Sequence, residues 1–337
     1  MPRVLLLIVM GLASACSEAQ RVDLVEQVRG QPFYRYETTD EFDRIITFYI
    51  SEPVGDDDLP LVVWIQGSGF GSHFQERDGR VARVGGSHSV VEESRGRARV
   101  LLIEKPGTSF LDVPEQPGSA VGSPVEFREQ HTLDRWAAAI EAAIRASWAV
   151  EQVSRDRVLV MGHSEGGIVS AAVAARMPEV THVALLAGGG PTQLYSLLRL
   201  ARQGAFGAPE WTADEAESWL LTGWERVLND PESADALYLG HPHRRWSTFM
   251  TTSPAALLDQ SDAFVFIGQG LEDRAVDPSS ADVLYAQLLS KGRRVEQMLV
   301  KGADHSFNRF EDGEYTGSDL GRVVKRAIDL MLEDESR

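Results

Sequence analysis

Two patterns of apolar residues alternate along the chain. Short runs at Leu61–Ile65, Arg99–Glu104, Val158–Met161, His182–Ala187 and Ala263–Ile267 are apolar on both sides of the chain, and Val295–Val300 reads as the last strand. Such runs predict strands buried on both faces, as central parallel strands are. Between them the apolar residues move to helical spacing. Leu133, Trp136, Ala137, Ile140, Ile144 and Trp148 share one face over His131–Trp148. Ile168–Arg176 is stopped by Pro178, Ser280–Ser290 carries Leu284 and Leu288, and Leu320–Leu332 carries Val323, Val324 and Ile328. The alternation predicts an α/β fold, a mostly parallel doubly wound sheet with helices on both faces.

Two stretches depart from it. Phe33–Tyr36 and Arg44–Ile50 are rich in β-branched and aromatic residues and predict an antiparallel edge pair, preceded by a polar, poorly ordered leader from Ser17 to Pro32. Residues 192–260 have helical patterning and no strand, and hold four of the seven tryptophans, Trp211, Trp219, Trp224 and Trp246. This predicts a helical lid, 191–261, inserted into a core formed by 33–190 and 262–335. Its tryptophans either line an apolar pocket or form the lid's own small core, the commoner use of a single tryptophan.

The chemistry centres on Gly162-His-Ser164-Glu-Gly166, between the Val158–Met161 strand and the following helix. A serine on a sharp strand-to-helix turn flanked by glycines is a nucleophile-elbow pattern; the turn lifts the hydroxyl clear of the backbone and places the next N–H beside the reacting atom. Five residues alone are weak evidence, so the context decides. A serine hydroxyl needs a base, and the base needs a group to orient it. The loops after two later strands supply Asp273 and His305, and in a parallel sheet all these loops lie on one edge. Glu272 and Asp277 are the alternatives for the acid, and Asp304 points elsewhere. His163 is expected to pack beneath the serine. Gln66–Ser72, glycine-rich after the Leu61–Ile65 strand, reads as an oxyanion loop. It is not a dinucleotide fingerprint, because Ser72 stands where the last glycine is needed.

These motifs, Gly162–Gly167, Gly270–Val276 and Gly302–Phe307, together resemble the α/β-hydrolase superfamily, in the group with a helical lid, over about residues 44–335. The resemblance implies backbone oxyanion donors at Glu165 and at Ser68, or its neighbour Gly69. Gln66-Gly67 departs from the His-Gly that many members have there. It implies a serine hydrolase acting on carboxylic esters through an acyl-enzyme, with a peptidase or amidase as the alternative and a non-catalytic binding lipoprotein as a third reading.

Composition narrows the partners. The 337 residues carry a formal charge of −17, which argues against nucleic acid and anionic membrane surfaces. A small-molecule or acyl substrate is expected, with no cofactor and no metal. Asp56–Asp58 reads as a solvated turn, and His241 and His243 lack a third ligand at fixed spacing. Lysine is rare beside arginine, a bias ascribed to genome composition. The only cysteine, Cys16, follows a short basic start, an apolar run at Val4–Leu12 and Ala13-Ser-Ala15. This predicts a signal peptide over 1–15 and export, to the periplasm or to a membrane through lipidated Cys16. Oligomeric state is not legible.

Overall fold

The computed structural model describes residues 22–208 and 210–333; the signal-peptide and Cys16 expectations fall outside these residues. A nine-stranded sheet is built from β1 (Asp23–Gln27), β2 (Phe33–Thr39), β3 (Ile45–Ser51), β4 (Leu59–Ile65), β5 (Arg99–Ile103), β6 (Val153–His163), β7 (His182–Leu186), β8 (Phe264–Gly270) and β9 (Val295–Val300). Their spatial order is β1-β2-β3-β5-β4-β6-β7-β8-β9. From β5 to β9 every neighbouring pair is parallel, while β1, β2 and β3 add on antiparallel. The chain runs from β4 outward to β5 and then crosses back to β6, so the winding reverses between β4 and β6. Ligands bind α/β sheets at the carboxyl ends of strands at such a switch point.

Strand alternation splits the core in two. Leu61, Val63, Ile65, Val158 and Val160 face one side, against helices Leu133–Ser147 and Glu165–Arg176. Val62, Trp64, Leu159 and Met161 face the other, against helices Ser87–Ser94 and Leu320–Glu333. Both faces of β4 and β6 are thus covered, which is why these strands read as unbroken apolar runs.

The insertion comprises helices Gln193–Arg202, Ala213–Asn229, His243–Phe249 and Pro254–Leu258. Contrary to the expectation of no strand, Leu237–Tyr238 and His241–Pro242 pair in a two-residue ribbon. Its apolar residues mostly pack on one another: Leu220, Trp224, Val227, Tyr238 and Trp246 form a cluster of their own, with Trp211 against it. Trp219 stays 41% exposed. Asp23–Gln27 of the expected leader is a strand, held to β2 by its backbone while its side chains stay exposed.

One buried carboxyl forms no ion pair among the described residues. Glu104, just after β5, accepts from Tyr49 Oη at 2.8 Å and also bonds Ser72 Oγ and the His73 N–H. Burial pushes its pKa from 4.5 up to about 8, and the hydrogen bonds from Ser72, Tyr49 and His73 offset this only in part. A folded-state value above the unfolded one means the contribution to stability is complete below about pH 4.5 and is lost as pH rises toward about 8. Glu104→Gln is therefore expected to gain stability relative to the wild type between pH 5 and pH 8. Urea midpoints at the two pH values check this; a constant offset between the chains contradicts it.

Candidate active site

β6 ends at His163 and the next helix begins at Glu165, leaving Ser164 alone on the turn at φ 56°, ψ −122°. A non-glycine residue in this region is strained, and such strain concentrates at functional sites. The surrounding hydrogen bonds hold it there: Ser164 N–H donates to Leu186 O at 2.8 Å, and Gly167 N–H to Ser164 O at 2.9 Å. The glycines are steric necessities. A Cβ on Gly162 would lie 2.0 Å from Gly166 O, one on Gly166 2.4 Å from Ile65 O, and one on Gly188 1.9 Å from Ser164 O.

Asp273 and His305 meet. His305 Nδ1 lies 2.8 Å from Asp273 Oδ2, and the carboxylate fixes the tautomer in which Nδ1 carries the proton and Nε2 is left free. Asp273 is itself buried. Its Oδ2 also accepts from Gln269 Nε2 at 2.9 Å, and its Oδ1 from the Ala275 and Val276 N–H groups at 2.8 and 2.9 Å. The other acids lie elsewhere. Glu272 is exposed, and Asp304 is turned onto the N–H groups of Ser306 and Asn308. Asp277 accepts from Gln203 Nε2 at 2.6 Å and ties the insertion to the core. His163 is part of the support. Its Nε2 donates to His305 O at 2.8 Å, and burial lowers its pKa to about 4, so it remains the neutral donor that bond requires.

The Gln66–Ser72 loop reaches the serine. A Cβ on Gly67 would lie 3.2 Å from Ser164 Cβ. Gln66, the departure noted at the start of this loop, closes it through Nε2 on Gly71 O at 3.0 Å. The Ser68 and Glu165 N–H groups donate to no backbone acceptor among the described residues. Ser68 Oγ is turned toward Gly118 O at 3.4 Å.

The side chain of Glu165 builds something the sequence did not announce. It is fully buried in a charged cluster. Oε1 accepts from Lys105 Nζ at 3.1 Å and His131 Nε2 at 2.9 Å; Oε2 accepts from Arg245 Nε and Nη2 at 2.9 and 2.8 Å. Burial alone raises the Glu165 pKa, but the attraction of His131, Lys105 and Arg245 outweighs it and holds the carboxyl well below the usual range. Lys105 Nζ also donates to Gly67 O at 2.6 Å and Gly69 O at 2.9 Å. Burial lowers the Lys105 pKa, yet three acceptors around one nitrogen match the three N–H bonds of an ammonium. One side chain therefore fastens the oxyanion-loop candidate to the elbow, while Arg245 fastens the elbow to the insertion.

Ser164, His305 and Ser68 open into one cavity of about 810 Å³, walled by Leu197, Phe206, Leu239 and Trp246 of the insertion. Of the four insertion tryptophans only Trp246 lines it. A second cavity of about 650 Å³ adjoins it at Gly67, Ser68, Pro117 and Gly118. Among the described residues no cluster of three or more His, Cys, Asp or Glu side chains could hold a metal.

A sequence model of the alpha/beta hydrolase family matches residues 62–315. The chain belongs to this family. The hydrolase has no match among curated protein sequences. Its fold is similar to Est1E from Butyrivibrio proteoclasticus, with a TM-score of 0.56 and 16% identity over 90% of this chain and 99% of that one. It is also similar to acetyl xylan esterase 1 from Thermoanaerobacterium sp. JW/SL YS485, with a TM-score of 0.54 and 16% identity over 94% and 89%. A puromycin-hydrolyzing peptidase of Mycobacterium tuberculosis matches with a TM-score of 0.53 and 17% identity over 89% of this hydrolase but 39% of that chain. At these identities the likeness is one of fold.

Proposed function

We propose that this hydrolase cleaves carboxylic esters through an acyl-enzyme on Ser164. The observation that carries the reading is the 2.8 Å Asp273–His305 pair opening into the same cavity as a strained serine. His305 Nε2 takes the Ser164 proton as Oγ bonds to the ester carbonyl carbon. The Glu165 and Ser68 N–H groups receive the charge that develops on the carbonyl oxygen. The tetrahedral centre collapses, the C–O bond to the alcohol breaks, and His305 Nε2–H protonates the leaving alkoxide. A water then gives its proton to His305 as it adds to the acyl carbon; the bond from that carbon to Ser164 Oγ breaks and His305 Nε2–H returns the proton to Oγ, releasing the acid and free Ser164. Asp273 stays ionised, orienting the ring and balancing the imidazolium. Esters are preferred over peptides because the esterases above are matched over nearly their whole length, whereas the peptidase is matched over a minor part of its own.

A fluorophosphonate probe is expected to label the wild-type chain and not Ser164→Ala; absence of labelling sinks the reading. Faster turnover of aminoacyl anilides than of p-nitrophenyl acyl esters would reassign it to peptidases. The amino-terminal pattern ending at Cys16 supports export; the intact mass of the mature chain, with or without lipid on Cys16, decides between anchored and free forms.

A further inference from the structure

We propose that the cavity over Ser164 takes esters that also carry a carboxylate, seated on the Arg245 guanidinium beside His241. The inference rests on the ester-hydrolase reading of the same cavity and names the class of ester.

Three observations carry it. The first is an unspent donor. Arg245 is 1% exposed and lines the cavity, its guanidinium carbon 4.0 and 4.6 Å from the ring centroids of Trp246 and Phe249. Nε and Nη2 are used on Glu165, but Nη1 is buried with no hydrogen-bond partner among the described residues. His241 lines the same cavity, and its buried Nδ1 likewise has no partner. Buried polar groups without partners are rare and costly, most of all on a charged side chain.

The second is charge. Lys105 spends its three N–H bonds on Gly67 O, Gly69 O and Glu165. Glu165 then faces the two cations Lys105 and Arg245 with one negative charge, and burial lowers the pKa values of His131 and His241. Within the Glu165 cluster one positive charge is in excess, and a monoanion at Arg245 balances it; Asp273 has its own donors in His305, Gln269 and two backbone N–H groups.

The third is the wall itself. The chain has 50 Asp and Glu against 33 Lys and Arg, yet no acid lines this cavity, while Arg245 and the exposed Arg274 both do. Arg274 forms no ion pair among the described residues. A chain of net negative charge thus keeps acids out of this wall and places two arginines in it, an arrangement that favours anions.

Planar N–H groups favour a carboxylate over other anions, since a guanidinium edge and a carboxylate match in shape. Leu197, Phe206 and Leu239 provide for the apolar carbon chain between the ester and the charge. A purely structural Arg245, present only to neutralise Glu165, needs neither the free edge nor a wall without acids.

Calorimetric titration of the Ser164→Ala chain tests the inference without hydrolysis. The ligands are two matched pairs: p-nitrophenyl hemiglutarate with p-nitrophenyl pentanoate, and 4-carboxyphenyl pentanoate with phenyl pentanoate. In at least one pair the acid is expected to bind about 10- to 100-fold more tightly at low salt, and the preference to shrink as salt is added. Parity in both pairs overturns the proposal with no further variant needed. Arg245→Lys, made in the same background, keeps a cation on Glu165 and removes the Nη1 edge; the preference is expected to fall to within about 3-fold, and its survival also overturns the proposal. Failure of the ester-hydrolase reading shows separately, as absent turnover of all four esters by the wild-type chain.

Discussion

Ser164→Ala is expected to fold as the wild type does and to lose ester turnover by about 10⁵- to 10⁶-fold. His305→Ala is expected to lose about as much, and the double variant no more than either alone, because the two groups act as one nucleophile. Asp273→Asn disturbs the tautomer and not the nucleophile, and the loss expected is about 10⁴-fold. Burst and steady-state kinetics with a p-nitrophenyl ester check the series; more than about a hundredth of the wild-type rate in Ser164→Ala removes the serine from the mechanism. A fourth variant separates strain from chemistry. Ser164→Gly is equally inactive but accommodates φ 56° without a Cβ, so its unfolding free energy is expected to exceed that of Ser164→Ala by about 1 kcal/mol or more, with a higher midpoint. A midpoint at or below that of Ser164→Ala contradicts the strain.

Glu165→Ala carries the largest expected effect on stability. It leaves Lys105 and Arg245 buried with no anion between them, and breaking a buried pair from one side costs about 3–5 kcal/mol. Urea denaturation measures this directly. Lys105→Met leaves the carbonyls of Gly67 and Gly69 without their shared donor, so kcat is expected to fall along with stability. The double variant Glu165→Gln, Lys105→Met is expected to be less destabilised than the sum of the singles, since each charge is missed less once the other has gone. Strict additivity contradicts a coupled cluster.

Much of this was legible because the two-sided burial of β4–β8 leaves unbroken apolar runs, and because parallel strands carry Ser164, Asp273 and His305 to one edge of the sheet. Chain-local signals failed in identifiable ways. Helix Ser87–Ser94 buries only Ser87, Val90, Val91 and Ser94, too few apolar side chains to mark a face. The hairpins Phe74–Arg77/Arg80–Arg83 and Asn308–Glu311/Glu314–Ser318 both turn on Asp-Gly, at Asp78-Gly79 and Asp312-Gly313, with φ positive at all four residues. That dipeptide is a strong short-range turn signal, but the flanking strands are short and largely exposed. The Glu165 cluster was hidden for a different reason: its members span residues 105 to 245, and no spacing rule connects them. The one clue was Lys105, a rare lysine at the end of a buried strand; its scarcity looked like composition. Likewise His241–Arg245 drew attention for its histidines, whereas its arginine makes the contacts.

The double attachment of Arg245 bears on how the insertion is held. The insertion is bolted to the floor of the cavity by a buried ion pair and, further out, by Asp277–Gln203 and by Gly240 O accepting from Ala120 N–H. Swinging it aside would break the Arg245–Glu165 pair together with both outer hydrogen bonds, so the insertion is tied at three separate places. The cavity over Ser164 meets its neighbour at Gly67, Ser68, Pro117 and Gly118, so the loop that Lys105 holds through Gly67 O and Gly69 O borders both.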